Sequence, residues 1–192
     1  MVLTWDGVSG GNILAGNSAT PTNNHIEVFR ILSRIPLPAS SKIVVPLSYG
    51  DARYREKIVE LGTELFGDQF QPVTDFMDFD QYVALLQSCS MMVMNHKRQQ
   101  GAGNIGIGMY LGAKVFVNPC SPLYDYFKET GLTIYSLAEL EQELSEGVVG
   151  LSADSASRNR EILQRERGRE AHLLKTEKLI AEIQALSRAK VD

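Results

Sequence analysis

The sequence predicts an α/β fold: a Rossmann-like parallel sheet with helices on both faces, extended by a long C-terminal helix. Two observations predict it. Short apolar runs alternate with stretches whose apolar residues recur at helical spacing, the pattern of βα units on a parallel sheet. The clearest of these runs, Ile43-Val44-Val45-Pro46-Leu47, is continuously apolar, as a strand covered on both faces must be. The 192 residues suffice for one such core with a helical appendage. With 44% hydrophobic and 22% charged residues, the composition is that of a chain that folds. The expected division is one Rossmann-like domain over residues 1–150 and an amphipathic helix over 151–192 packed on it.

Asn12 to Ala15 reads as the first strand. After the turn Gly16-Asn17-Ser18 a helix is expected from about His25 to Arg34, with Val28, Leu32 and Ile35 on one stripe and Asn24 and Glu27 at capping-box spacing. Ile43 to Leu47 is the second strand, and Tyr54, Ile58, Leu61 and Leu65 mark the apolar face of the helix after it. Gln69 to Val73 makes a third strand, and Asp78 with Gln81 caps a helix carrying Phe79, Val83 and Leu86. Met91 to Met94 and Val115 to Val117 are the fourth and fifth strands, with a helix in the glycine-rich stretch Gly101 to Gly112 between them. Ser121-Pro122 starts another helix, with Ser as the cap and Pro where its missing N–H costs nothing. Ile134 closes a sixth strand, and Ser136 with Glu139 opens a helix that ends near Gly147. From Asp154 onward charges of both signs dominate while Leu179, Ile183 and Leu186 keep a narrow apolar stripe, which predicts one long helix.

Several function classes are excluded by composition. The formal charge is −4, and no block of Lys or Arg precedes residue 158, so the cationic footprint of a nucleic-acid binder is missing. Cys89 and Cys120 lie apart without CxxC spacing, which argues against a disulfide framework and a zinc site. They read as reduced core cysteines of a cytosolic protein. No run of about 18 apolar residues is present to span a bilayer. Met1 to Leu14 has neither the basic start nor the apolar core of a leader. Met1 to Gly10, with Trp5 and Asp6, reads as an entry into one domain of a longer protein. His25, His96 and His172 show no metal-ligand spacing and read as a helix-start, a loop and a surface histidine; no metal or cofactor is expected.

Ligands of an open parallel sheet bind beyond the carboxyl ends of its strands, so the post-strand loops hold the candidate site. The first, Gly16 to Asn24, is small, hydroxyl-rich and leads into a helix N-terminus, which suits an anion; ordinary capping accounts for the same residues. It has neither GxGxxG nor P-loop spacing. Ser48-Tyr49-Gly50-Asp51 and Asp75-Phe76-Met77-Asp78 offer aromatic and apolar atoms to a base, unless Phe76 and Met77 are core residues. The strongest segment is Asn95 to Gly108. There Arg98 suits a phosphate, Gln99, Gln100 and Asn104 suit sugar hydroxyls, and Gly101 and Gly103 let backbone approach a pyrophosphate. Glycines at 101, 103, 106 and 108 each cost about 1 kcal/mol relative to Ala in a helix, which favours close approach over a merely solvated basic turn. Asp75, Asp78 and Asp80 sit where capping explains them better than acid–base work, so the sequence shows a binding site and no catalytic constellation.

Ile13-Leu14-Ala15-Gly16-Asn17-Ser18 with Asn24-His25, Val44-Val45-Pro46-Leu47-Ser48-Tyr49-Gly50, Phe79 to Cys89, and Arg98-Gln99-Gln100-Gly101-Ala102-Gly103 together resemble the bacterial TDP-4-acetamido-4,6-dideoxygalactose transferases, or 4-alpha-L-fucosyltransferases. The resemblance covers roughly Asn12 to Leu144. It implies the C-terminal, donor-binding half of a GT-B glycosyltransferase, with the TDP-sugar (TDP-Fuc4NAc) in this half and a polyprenyl-linked glycan in an N-terminal half. It further implies metal-independent transfer in which Arg98 stabilises the leaving nucleoside diphosphate. Gly16, Asn17 and Ser18 would line the phosphates, and Gln99, Gln100 and Asn104 the sugar or ribose. In enterobacteria that reaction completes a lipid-linked unit of the enterobacterial common antigen, at the inner membrane. On that resemblance the sequence corresponds to the second half, so the acceptor site and any base there are expected to lie outside it, and the isolated chain is expected to bind without transferring.

Two other readings fit the same residues. A nucleotide-sugar epimerase of GT-B architecture would use the same loops with acid and base carboxylates between its halves. A non-catalytic nucleotide-binding or scaffolding module would use the C-terminal helix to dock a membrane enzyme or lipid headgroup.

Overall fold

The computed structural model describes residues 7–147 and 150–188; the expected entry segment with Trp5 and Asp6 lies outside them. Six strands, β1 (Asn12–Ala15), β2 (Ile43–Pro46), β3 (Phe70–Val73), β4 (Cys89–Met94), β5 (Lys114–Val117) and β6 (Tyr135–Ser136), form a parallel sheet in the order β3-β2-β1-β4-β5-β6. The chain winds outward from β1 to β3, returns to place β4 on the other side of β1, and winds outward again. The reversal leaves a crevice above the carboxyl ends of β1 and β4.

Strand residues alternate between the two faces, and the helices divide accordingly. Leu14, Val44, Met92, Met94, Val115 and Val117 share one apolar layer with residues of α3 (Phe79–Gln87), α4 (Ala102–Leu111), α5 (Pro122–Glu129) and α7 (Ala153–Arg167). Ile13, Ala15, Val45, Met91, Val93 and Phe116 share the other with α1 (His25–Leu32), α2 (Ala52–Phe66) and α6 (Leu137–Ser145).

The helix starts form largely as their caps dictate. Asp78 Oδ1 accepts from the Gln81 N–H at 2.8 Å while Gln81 Oε1 accepts from the Asp78 N–H at 3.1 Å. Ser121 Oγ accepts from the Leu123 N–H, with Pro122 at the first helical position. Glu139 Oε2 accepts from the Ser136 N–H and hydroxyl at 2.6 and 2.7 Å. Asn24 and Glu27 depart from expectation. Asn24 is left-handed, with φ of 51°, so its side chain is turned away from the helix N–H groups and caps nothing. Its Nδ2 donates to the Asn95 carbonyl at 2.8 Å, and Glu27 accepts from Asn95 Nδ2 at 2.9 Å, which pins α1 to the end of β4.

Three further expectations are corrected. Of the stripe expected on α2, Tyr54, Ile58 and Leu61 pack on the core, but Leu65 is exposed, and Gly62 completes the buried face. A Cβ on Gly62 would lie 2.2 Å from the Phe70 ring, so the glycine exists to seat that ring, which packs edge-on against Phe29 at 5.8 Å. Cys89 is buried, which pushes its thiol up to about 11, but Cys120 is exposed in the loop after β5 and is no core residue. The C-terminal helical stretch is present but is divided. Gly168 is extended, with φ of −68° and ψ of 167°, and separates α7 from α8 (Arg169–Arg188). Ile162 and Leu163 of α7 enter the core, whereas Leu173, Leu179, Ile180, Ile183 and Leu186 of α8 are exposed, so only α7 is packed on the domain. Among the described residues no helix is long and apolar enough to cross a membrane.

At the amino end of β5 the buried Lys114 ammonium pairs with Glu143 of α6 and lies 4.4 Å from the Tyr135 ring centroid. Glu143→Ala strands that ammonium and is expected to lower the unfolding free energy by on the order of 2 kcal/mol. The effect is smaller than for a fully enclosed pair because the Glu143 side chain is 22% exposed. Replacing both partners, as Lys114→Met with Glu143→Leu, should cost much less; urea unfolding of the two variants measures the difference.

Candidate functional site

The crevice is built by the loops after β1, β2 and β4, which hydrogen bonds join into one body. Gly16, with φ of 71°, starts the first turn; a Cβ there would lie 2.4 Å from His25 Nε2 and 2.7 Å from Asn23 Oδ1. Asn23, which is buried, organises the loop: its Oδ1 accepts from the Asn17 N–H at 2.8 Å, and its Nδ2 donates to the Ser18 carbonyl and Thr20 hydroxyl at 2.9 and 2.8 Å. His96, 1% exposed just beyond β4, brings Nε2 to 2.7 Å from Asn23 Oδ1 and 3.0 Å from Asn17 Oδ1. Asn17 Nδ2 in turn donates to the Tyr49 hydroxyl at 3.0 Å.

A second seam joins the loops after β1 and β2. The Ala19 N–H donates to the Tyr49 carbonyl at 2.7 Å, and the Asp51 N–H to the Ala19 carbonyl at 2.8 Å. Gly50 sits between them with φ of 120°, and a Cβ there would be 2.4 Å from the Ala19 oxygen. Ser18 is wholly buried, with its hydroxyl bonded to Thr20 and Asn23 and its carbonyl to Asn23, so it shapes the turn and, contrary to expectation, offers the crevice no open group.

The loop after β4 supplies the charge. Arg98 is exposed, with Nε 3.5 Å from Gln100 Oε1. Gln100 is engaged with protein atoms: its Nε2 donates to Thr20 Oγ1 and Asn17 Oδ1 at 3.2 and 3.3 Å, and its Oε1 accepts from the Thr22 hydroxyl at 2.7 Å. It is a tie between loops rather than an amide held out to a sugar. Gly101, left-handed with φ of 68°, starts α4 without a side-chain cap, leaving the first N–H groups of that helix directed at the crevice. Gly103 has no atom within 4 Å of its Cβ position, and it lines a crevice with α7. Gly108 serves packing instead, since a Cβ there would strike Met92 Sδ at 1.9 Å. Gln99 points away from the crevice centre, lining a shallow cleft with Pro122 and Arg167.

Beside the anion-facing loops lies a cleft of about 320 Å³ lined by Asn17, Tyr49, Phe76, Met77, Tyr82 and Asn104, among others. Phe76 is 91% exposed and Tyr49 57%, so neither is a core side chain, while Met77 is half-buried against the core edge. Phe79, expected on the buried stripe of α3, is also exposed and lines this cleft. Tyr82 is bonded through its hydroxyl to Asn104, and burial raises its pKa above the ordinary tyrosine value. Among the described residues no group of three or more His, Cys, Asp or Glu side chains is gathered to hold a metal.

Thus Gly16, Asn17, Ser18, Tyr49, Gly50, Arg98, Gln100 and Gly101 meet at the crevice, Phe76, Met77 and Asn104 form the adjoining cleft, and Gln99 and Gly103 lie to one side. Sequence reasoning missed His96, Asn23 and Thr22. The available signal was an Asn- and Thr-rich loop after β1 facing a histidine just after β4, at the point where strand order reverses.

A family model described as 4-alpha-L-fucosyltransferase, glycosyl transferase group 56, matches residues 7–152. Among solved structures, the chain is similar to HepE of Anabaena in complex with UDP-glucose, with 14% identity and a TM-score of 0.66 over 90% of this chain and 49% of that one. It is similar to an alpha,alpha-trehalose 6-phosphate synthase from Burkholderia multivorans, with 13% identity and a TM-score of 0.68 over 94% of this chain and 44% of the other. It is also similar to the C-terminal domain of a group 1 family glycosyl transferase from Francisella tularensis, with 10% identity and a TM-score of 0.62 over 84% and 87% of the two chains. These likenesses establish the fold, and the chain spans about half the length of the first two proteins.

Both buried histidines are held neutral. Burial, then the neighbouring His96, lowers His25 to about 4 against a bond to the Ala15 backbone; burial, then the Arg98 cation, lowers His96 to about 4. The unfolded chain protonates these rings near 6.5, so their contribution to stability is complete above that value and is lost as pH falls from 6.5 towards 4. The urea midpoint is therefore expected to drop between about pH 7.5 and about pH 5, and His25→Phe, which cannot take up the proton, should flatten part of that drop.

Proposed function

This chain belongs to the 4-alpha-L-fucosyltransferase family, glycosyl transferase group 56, and from that premise we propose that it binds the nucleoside diphosphate of a sugar donor as the donor half of a glycosyltransferase. The observation that carries this reading is the convergence of Arg98, the uncapped start of α4 and the Gly16 turn on one crevice beside an aromatic-rimmed cleft. The crevice supplies the first backbone N–H groups of α4 and one exposed cation, Arg98, which suit a diphosphate. The cleft supplies flat apolar surfaces at Tyr49, Phe76 and Met77, which suit a base.

On this reading the nucleoside diphosphate leaves with its new negative charge against Arg98 and the α4 N-terminus, electrostatic stabilisation that needs no metal. The donor is a TDP-linked deoxyamino or fucose-like sugar. The acceptor is a lipid-linked glycan of cell-surface polysaccharide synthesis, held by an N-terminal half of the complete protein. The complete protein would work on the cytoplasmic side, peripheral to the inner membrane. Arg98 would be the catalytic residue of this half, and Asn104 would reach the ribose or sugar from the first turn of α4.

Calorimetric titration with TDP, UDP, GDP and FMN tests the reading. TDP or UDP is expected to bind selectively, and Arg98→Ala to weaken binding about 10- to 100-fold, the worth of one hydrogen bond to a charged group. Failure of every nucleotide to bind, or binding unchanged in Arg98→Ala, sinks it.

A further inference from the structure

The side-chain amides above β1 and β4 can be oriented by elimination. Asn23 Nδ2 faces the carbonyl oxygens of Ser18 and Thr20, which can only accept, so Oδ1 is the atom turned to the Asn17 N–H and to His96. Because Asn23 Oδ1 cannot donate, His96 Nε2 must carry the proton. An N–H at Nε2 requires an acceptor from Asn17 as well, which turns Asn17 Oδ1 to His96 and Asn17 Nδ2 to Tyr49. Asn17 Nδ2 can only donate, so the Tyr49 oxygen accepts, and the hydroxyl proton of Tyr49 is left to point outward from a ring that rims the cleft.

We propose that His96 is the positioning residue of this site: its Nε2–H holds Asn17 and Asn23 in one geometry, and through Asn17 it presents the Tyr49 hydroxyl to the ligand as a hydrogen-bond donor. The relay runs from a ring that is 1% exposed to one that is 57% exposed. The group it presents selects for an oxygen acceptor on the ligand, such as a phosphate oxygen or a pyrimidine carbonyl, and against a donor at the same place. Gln100 reinforces the arrangement, since its Nε2 approaches the same Asn17 oxygen at 3.3 Å. Charge is not transferred; the tautomer of one ring fixes the direction of one proton two groups away.

The inference rests on the site being a nucleotide site, and TDP is the probe. His96→Gln keeps an N–H at the reach of Nε2 and should bind TDP within about three-fold of the parent, whereas His96→Phe fills the volume without a donor and should lose about ten-fold or more. Tyr49→Phe, at an exposed position where folding does not depend on the hydroxyl, should lose affinity comparably. Nitrogen NMR of the histidine rings should show His96 protonated at Nε2 and bare at Nδ1 near neutral pH. A proton on Nδ1, TDP affinity unchanged in a folded His96→Phe, or unchanged affinity in Tyr49→Phe overturns the proposal. If His96→Phe fails to fold, the Tyr49→Phe titration and the tautomer decide. If the parent chain binds neither TDP nor UDP, the reading of the site fails and takes this inference with it; parent binding with an indifferent Tyr49→Phe overturns the relay alone.

Discussion

A parallel sheet wound first one way and then the other has to part its crossover helices where the winding reverses, and here that happens between β1 and β4. Everything functional in this chain hangs from that gap. The carboxyl ends of the two strands bring the Gly16 turn and the Arg98 loop side by side, although some 80 residues separate them, as the Asn17–Gln100 and Asn17–His96 contacts at sequence separations of 83 and 79 record. The N-terminus of α4 then opens onto the same space, since that helix follows the Arg98 loop directly.

Such a gap exposes backbone polar groups that the strands no longer pair, and burying them without partners would cost more than the loops could recover from packing. The chain answers with Asn23 and His96, two buried polar side chains that use their hydrogen-bonding atoms on Asn17, Ser18 and Thr20. Burial keeps the imidazole neutral, so the knot costs no buried charge. The rigidity that results is what a binding site for a small polyanion requires, because its N–H groups must already face the ligand. The aromatic cleft has the opposite character. Phe76 and Tyr49 remain largely exposed to water, apolar surface held ready for a flat partner.

The C-terminal region divides along the same physical line. α7 is held because Ile162 and Leu163 complete the apolar layer over α4, and Arg160 adds a bond from Nε to the Tyr110 carbonyl at 3.1 Å. α8 carries its own apolar stripe past Gly168 into solvent, touching α7 and adding nothing to the core. A helix can thus be specified by local pattern while its packing is not.

By itself the sequence determined the strands, the helices and their order, because continuous apolar runs and helical stripes are local signals, and Asp78, Ser121 and Ser136 mark helix starts with side chains that bond their own first turn. It also located the crevice loops, since post-strand residues in a parallel sheet are where a ligand must bind. Only the tertiary structure decided what each loop residue does there. Gln100 read as a sugar-binding amide until Thr20, Thr22 and Asn17 were found around it; Gly108 read as a ligand-approach glycine until Met92 was found beneath it. Asn24 read as a cap until its left-handed backbone turned it to Asn95, and His96 read as an ordinary loop histidine until Asn17 and Asn23 stood opposite it. Each of those contacts joins residues far apart in the chain, and a hydrogen bond between distant segments leaves no periodicity for the sequence to display.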